Sequence, residues 1–102
     1  MSTRQATQRP VPSGPDVIPM VKARPRIRGR FEGDVRRLRV QPQAGVRTLE
    51  LQLSDGTGKL IVLFMGRRSI PGVECGSRLL IEGTPVAGER GLMLYNPSYE
   101  LR

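Results

Sequence analysis

The stretch from Val46 to Met65, VRTLELQLSDGTGKLIVLFM, constrains the fold more than any other part of the chain. Leu49, Leu51 and Leu53 alternate with Thr48, Glu50 and Gln52, so the two-residue period of an extended chain sends the leucines to a core and the polar set to water. Asp55-Gly56-Thr57-Gly58 supplies residues that accept positive φ and turns the chain back tightly. On the return, Leu60, Val62 and Phe64 face the same interior, which leaves Ile61, Leu63 and Met65 as an apolar row on the opposite surface. Such a row needs a cover, a partner or a ligand. A hairpin of this kind is the seed of a small β-barrel.

The remaining 82 residues must complete that barrel, and 102 residues in all suffice for one core of ordinary size. A long first strand is expected from Arg24 to about Val40, bending at Gly29 and Gly33, followed by a loop over 41–45. After the hairpin, Gly66 to Gly72 breaks the pattern and leaves room for a short irregular crossover. Arg78 to Thr84 reads as a fourth strand, Pro85 to Gly91 as a loop, and Leu92 to Leu101 as a fifth strand kinked at Pro97. Residues 1–21 are rich in Ser, Thr, Gln and Pro, with prolines at 10, 12, 15 and 19, and read as a disordered tail ahead of a domain over 22–102. The expected class is therefore all-β, a five-stranded OB-fold Greek-key barrel; an SH3-like barrel is the competing solution, disfavoured by the long first strand and the gap after the third.

Composition removes most chemistry. With no histidine, the usual zinc sites, the nucleophilic triads and the commonest general base are missing. Asp55 to Lys59 fails as a phosphate-binding loop, because Leu53 stands at the earlier glycine position and Leu60 at the hydroxyl position. Glu32 and Asp34 share a strand face, but Arg28, Arg30 and Arg36 nearby make them a solvated charge network rather than an acid/base pair. The lone Cys75 has no ligand or disulfide partner and reads as a half-buried thiol. The expectation is a non-enzyme without metal or cofactor. No apolar run approaches the roughly 20 residues of a membrane span, and the first residues lack a signal-peptide stretch. A cytoplasmic location, nucleoid-associated at most, is expected.

The formal charge is +8, unevenly spread: residues 1–30 hold seven Lys or Arg against the single acid Asp16. Lys22, Arg24, Arg26, Arg28 and Arg30 occupy every second position, and in an extended chain all five would share one face. One such arginine is most often a solvated residue, but five in register, unrelieved by an acid, point to a polyanion.

The order Gly33-Asp34-Val35, Leu51-x-Leu53-x-Asp55-Gly56-Thr57-Gly58, Leu60-x-Val62-x-Phe64, Pro71-Gly72 through Gly76 to Glu82-Gly83, and Tyr95-Asn96-Pro97-Ser98-Tyr99-Glu100 resembles the nucleic-acid-binding OB domains, including the wedge domain of RecG-type helicases. The chain looks most like the small stand-alone OB proteins of high-GC actinobacteria. The resemblance covers roughly residues 24–102. It implies a binding surface on the outer face of strands two and three, flanked by the loop after strand one and the loop before strand five. Those positions hold Arg47, Lys59, Ile61 and Leu63 on the strands, residues 41–46 in the first loop and Glu89 and Arg90 in the second, with Arg36, Arg37 and Arg39 alongside.

Stacking is worth about 1–3 kcal/mol per base, yet the only aromatics are Phe31, Phe64, Tyr95 and Tyr99, and the phenylalanines belong to the core. Tyr95 and Tyr99 read first as structural members of the last strand, with stacking on Tyr95 the lesser reading. Phosphate contacts should therefore dominate: about five cations on a single strand give a slope of log K against log salt of about −3.5. DNA, single-stranded or branched, is the favoured partner, and RNA shares the same cations. The alternative is a protein adaptor or homodimer joined through Ile61, Leu63 and Met65.

Overall fold

The computed structural model describes residues 16–102. A 3-10 turn, Met20–Lys22, precedes seven strands: β1 Gly29–Gln43, β2 Val46–Ser54, β3 Lys59–Met65, β4 Arg78–Gly83, β5 Val86–Gly88, β6 Gly91–Tyr95 and β7 Ser98–Leu101. They form one mixed sheet in the order β5-β6-β3-β2-β1-β4-β7, which is not closed by a continuous ladder. Among the described residues no helix is long and apolar enough to cross a membrane.

The hairpin forms in the expected register, with Leu49 opposite Phe64, Leu51 opposite Val62 and Leu53 opposite Leu60. These six side chains are buried and meet Phe31, Val35, Leu79, Ile81, Leu94 and Tyr99 in one core. The rings of Phe64 and Tyr99 pack edge to face with centroids 5.4 Å apart. β1 serves two partners: its first half pairs with β4, Phe31 opposite Ile81, and its second half pairs with β2, Leu38 opposite Leu51. Arg36 is the extra residue of a bulge between Val35 and Arg37, and lets one strand turn from the first partner to the second. Gly33 sits where the two halves meet. A Cβ there would lie 2.7 Å from Met20 Cε and 2.8 Å from the Ser54 carbonyl oxygen, so the close approach requires glycine.

The strand boundaries depart from expectation at three places, each with a local cause. β1 starts at Gly29 rather than Arg24, because Arg24 to Ile27 form a tight turn in which Ile27 N–H donates to the Arg24 carbonyl and Arg26 takes φ 69°. At its other end β1 runs on to Gln43, and the expected loop shrinks to Ala44-Gly45 with φ of 53° and 80°. The single fifth strand is two: Asn96 turns left-handed at φ 51°, Pro97 has no N–H to offer a ladder, and the chain leaves β3 to join β4. The presumed loop over 85–91 contains β5, hairpinned onto β6. Seven strands thus stand where five were expected.

The expected tail is not uniformly loose. Residues 1–15 lie outside the described residues, but Met20 is a core member and Ile18 N–H donates to the Arg30 carbonyl at 2.9 Å. Cys75, in the β3–β4 connection, is exposed rather than half-buried.

Candidate nucleic-acid interface

Residues opposite one another in a ladder share a face, so the registers define two transverse rows on the outer side of the sheet. One row reads Arg37, Gln52, Ile61, Met93; the other reads Arg39, Glu50, Leu63, Tyr95. Lys59, two residues before Ile61 on β3, lies on the same side. The structure therefore brings Arg37, Arg39, Lys59 and Tyr95 together on one face of β1, β2, β3 and β6. Tyr95 is 47% exposed.

Arg90 joins them from the β5–β6 turn. Its Nη1 donates to Glu50 Oε2 and its Nη2 to Glu50 Oε1, each at 2.9 Å. β3 lies between β6 and β2, so this contact ties the β5–β6 turn to a strand two places along the sheet from β6. Arg39 Nε adds a 3.5 Å ion pair to Oε2, and Gln41 Nε2 donates to Oε1 at 3.4 Å. The Arg90 hydrogen bonds hold the Glu50 carboxyl below its ordinary value against the opposing effect of burial, with the charges of Arg90 and Arg39 assisting.

This arrangement corrects the outer-face expectation. Thr48 and Glu50, read as water-facing, are buried. So are Ile61 and Leu63, which form a second small apolar cluster with Met93 of β6. They are neither a contact row for bases nor, with Met65, a surface for an adaptor or homodimer. The cover that the apolar row required comes from the chain itself. Met93 falls within the expected fifth strand, but the sequence pattern does not report that this stretch pairs with β3.

The five-cation row is also corrected. Lys22, Arg24, Arg26, Arg28 and Arg30 do not lie on one strand face, because the turn over 24–27 interrupts them. Arg24 and Arg26 are exposed in that turn, where Arg26 N–H donates to the Pro85 carbonyl at 2.8 Å. Arg28 Nε and Arg30 Nη2 converge on Glu82 at 3.2 and 3.3 Å. Glu32 and Asp34 are bridged by Arg78 at 2.8 and 2.9 Å rather than by the arginines of their own strand, and Arg102 reaches Glu32 at 3.6 Å. Among the described residues no three His, Cys, Asp or Glu side chains group as metal ligands would.

Arg36 is exposed at the bulge, and Arg47 is exposed at the start of β2. Two further cations escaped the sequence reading. Gly66 N–H donates to the Arg47 carbonyl at 2.6 Å, and the half-buried Arg67 and exposed Arg68 follow directly after Gly66 at the end of β3. The sequence signal for them is the Arg-Arg pair itself, within the segment that breaks the strand pattern.

No family model matches the chain, and no curated protein matches it.

Proposed function

We propose that this protein is a non-catalytic nucleic-acid-binding module of OB architecture, holding single-stranded or branched DNA weakly and mainly through its phosphates. The architectural part rests on the pairing of one short stretch. Gly91 to Leu101 runs parallel to β3 in its first half and antiparallel to β4 in its second, the dual partnership that the closing strand of an OB barrel has. β1 has the long, bulged form of an OB first strand.

The observation that carries the functional part is the outer face. Its two rows and the β5–β6 turn present Arg39 and Arg90 against one carboxylate, with Arg37, Lys59 and the exposed Tyr95 alongside. Among the described residues Arg36, Arg37, Arg47, Lys59, Arg67 and Arg68 make no salt bridge, so their charge is available to an anion. A single exposed aromatic supports one stacked base, not a platform. Charge then supplies most of the affinity, and binding tolerates any sequence.

Fluorescence anisotropy with matched single-stranded DNA, duplex DNA and RNA tests the reading. If about four cations contact a single strand, log K falls with log salt at a slope of about −3, a loss of about fiftyfold between 50 and 200 mM. No binding to any of the three at 50 mM, or tight binding indifferent to salt, would refute it.

A further inference from the structure

We infer that Glu50 is a built-in brake on the outer face: by occupying the guanidinium forks of Arg90 and Arg39 it sets the affinity of this surface for a phosphate chain. The inference rests on the proposed nucleic-acid reading and concerns the regulation of the same site.

The Glu50 side chain is only 5% exposed, while those of Arg39 and Arg90 are about half exposed. The carboxylate therefore lies beneath two guanidinium groups whose outer edges meet solvent. Arg90 gives Glu50 the paired N–H bonds that an arginine would otherwise give a phosphate in bidentate fashion. A phosphate can recruit that fork only by taking it from Glu50, which would strand a buried carboxylate without its principal partner. Arg37, one row along, faces no such competition. A carboxylate at the centre of the face also repels each phosphate laid across it, and does so through a region partly shielded from water.

The opposing possibility is that Glu50 serves the ligand by aiming Arg39 and Arg90 at it. The two possibilities predict opposite signs for the same substitution. Glu50→Gln keeps the shape and an amide oxygen for Arg90 but removes the charge, and Glu50→Met fills the space beside Leu63 with an apolar chain should the amide variant fold poorly.

Binding of a fluorescent thymidine 12-mer is measured for the full chain and both variants at 50 and 200 mM salt, with melting curves recorded in parallel. The brake predicts about three- to tenfold tighter binding at 50 mM by whichever variant folds. It also predicts a salt slope steeper by about 0.7 for each guanidinium released. Unchanged or weaker binding by a folded variant, with the wild type binding, overturns the brake and leaves the nucleic-acid reading standing. Absence of binding by the wild type and both variants overturns the reading itself, and the brake with it.

Discussion

The backbone N–H of Met20 donates to Oδ2 of Asp55 at 2.8 Å, tying the segment before β1 to the turn of the central hairpin. Thr57 extends the tie, its hydroxyl accepting from Val21 N–H at 3.1 Å while donating to Asp55 Oδ1 at 2.7 Å. Burial pushes the Asp55 carboxyl up, but the N–H of Met20, the Thr57 hydroxyl and the N–H groups of Thr57 and Gly58 outweigh it and hold the group below its ordinary value. A carboxyl lowered on folding contributes stability that is present above its unfolded pKa and is lost as pH falls through the folded one. Asp55→Asn should therefore cost about 1–2 kcal/mol at neutral pH, and the gap to wild type should close as pH falls below the carboxylate range. Thermal melts across that range check the sign; a gap that widens in acid would contradict it.

Leu63 gives the clearest division between surface and core. The sequence pattern marks it as apolar and expects it in an outer contact row, whereas it is 1% exposed and packs with Ile61 and Met93. Leu63→Ala should destabilise the fold by about 2–4 kcal/mol, as truncation of a buried leucine does. Leu63→Glu should leave little folded protein at 25 °C, rather than a folded monomer released from a dimer. Denaturant melts and sedimentation distinguish these outcomes.

The particular residues explain why some of the fold could be read in advance and some could not. Leu49, Leu51 and Leu53 against Leu60, Val62 and Phe64 carry a strong local period, and that hairpin forms as read. Glu50 departs from the period because it is buried with its charge met by Arg90, forty residues away, which no local period reports. The regular spacing of Lys22 to Arg30 implied a strand face only if the chain stayed extended, and Pro25 with a left-handed Arg26 ends that condition. Of the expected site, Arg37, Arg39, Lys59, Arg90 and Tyr95 share one face; Ile61 and Leu63 lie beneath it, and Arg28 and Arg30 are engaged with Glu82.

Asn96 holds the junction at which the chain passes from β3 to β4. Its N–H donates to the Leu63 carbonyl at 2.7 Å and its Oδ1 accepts from Met65 N–H at 2.9 Å, in a left-handed conformation with φ 51°. Asn96→Ala loses the side-chain bond and meets the steric penalty of that conformation, an expected cost of about 2–3 kcal/mol. Asn96→Gly loses the bond alone and should cost about 1 kcal/mol. Equal costs for the two would show that the backbone conformation there carries no strain.

Tyr95 is exposed on the outer row while Tyr99 is buried in the core, so the two tyrosines separate stacking from stability. Tyr95→Ala should weaken single-strand binding by about 1–3 kcal/mol, the range for one stacked base, with a melting temperature close to wild type. Tyr99→Ala should do the reverse, lowering stability by about 3–5 kcal/mol through lost packing on Phe64. Loss of binding in neither variant would remove aromatic stacking from the account.

The cations divide in the same way. Arg37 and Lys59 lie on the outer face without carboxylate partners among the described residues, whereas Arg28 and Arg30 share Glu82. Removing a cation that contacts phosphate reduces the salt slope on a single strand by about 0.7, so Arg37→Gln with Lys59→Gln should flatten it by about 1.4 and leave stability unchanged. Arg28→Gln with Arg30→Gln removes the same formal charge but deprives Glu82 of both partners, and should lower the melting temperature while changing the slope little. Because the net charge of the two double variants is identical, a difference in slope between them reports where the phosphate chain lies rather than how basic the protein is. Equal flattening by both would mean that the anion is attracted by the whole molecule, with no preferred face.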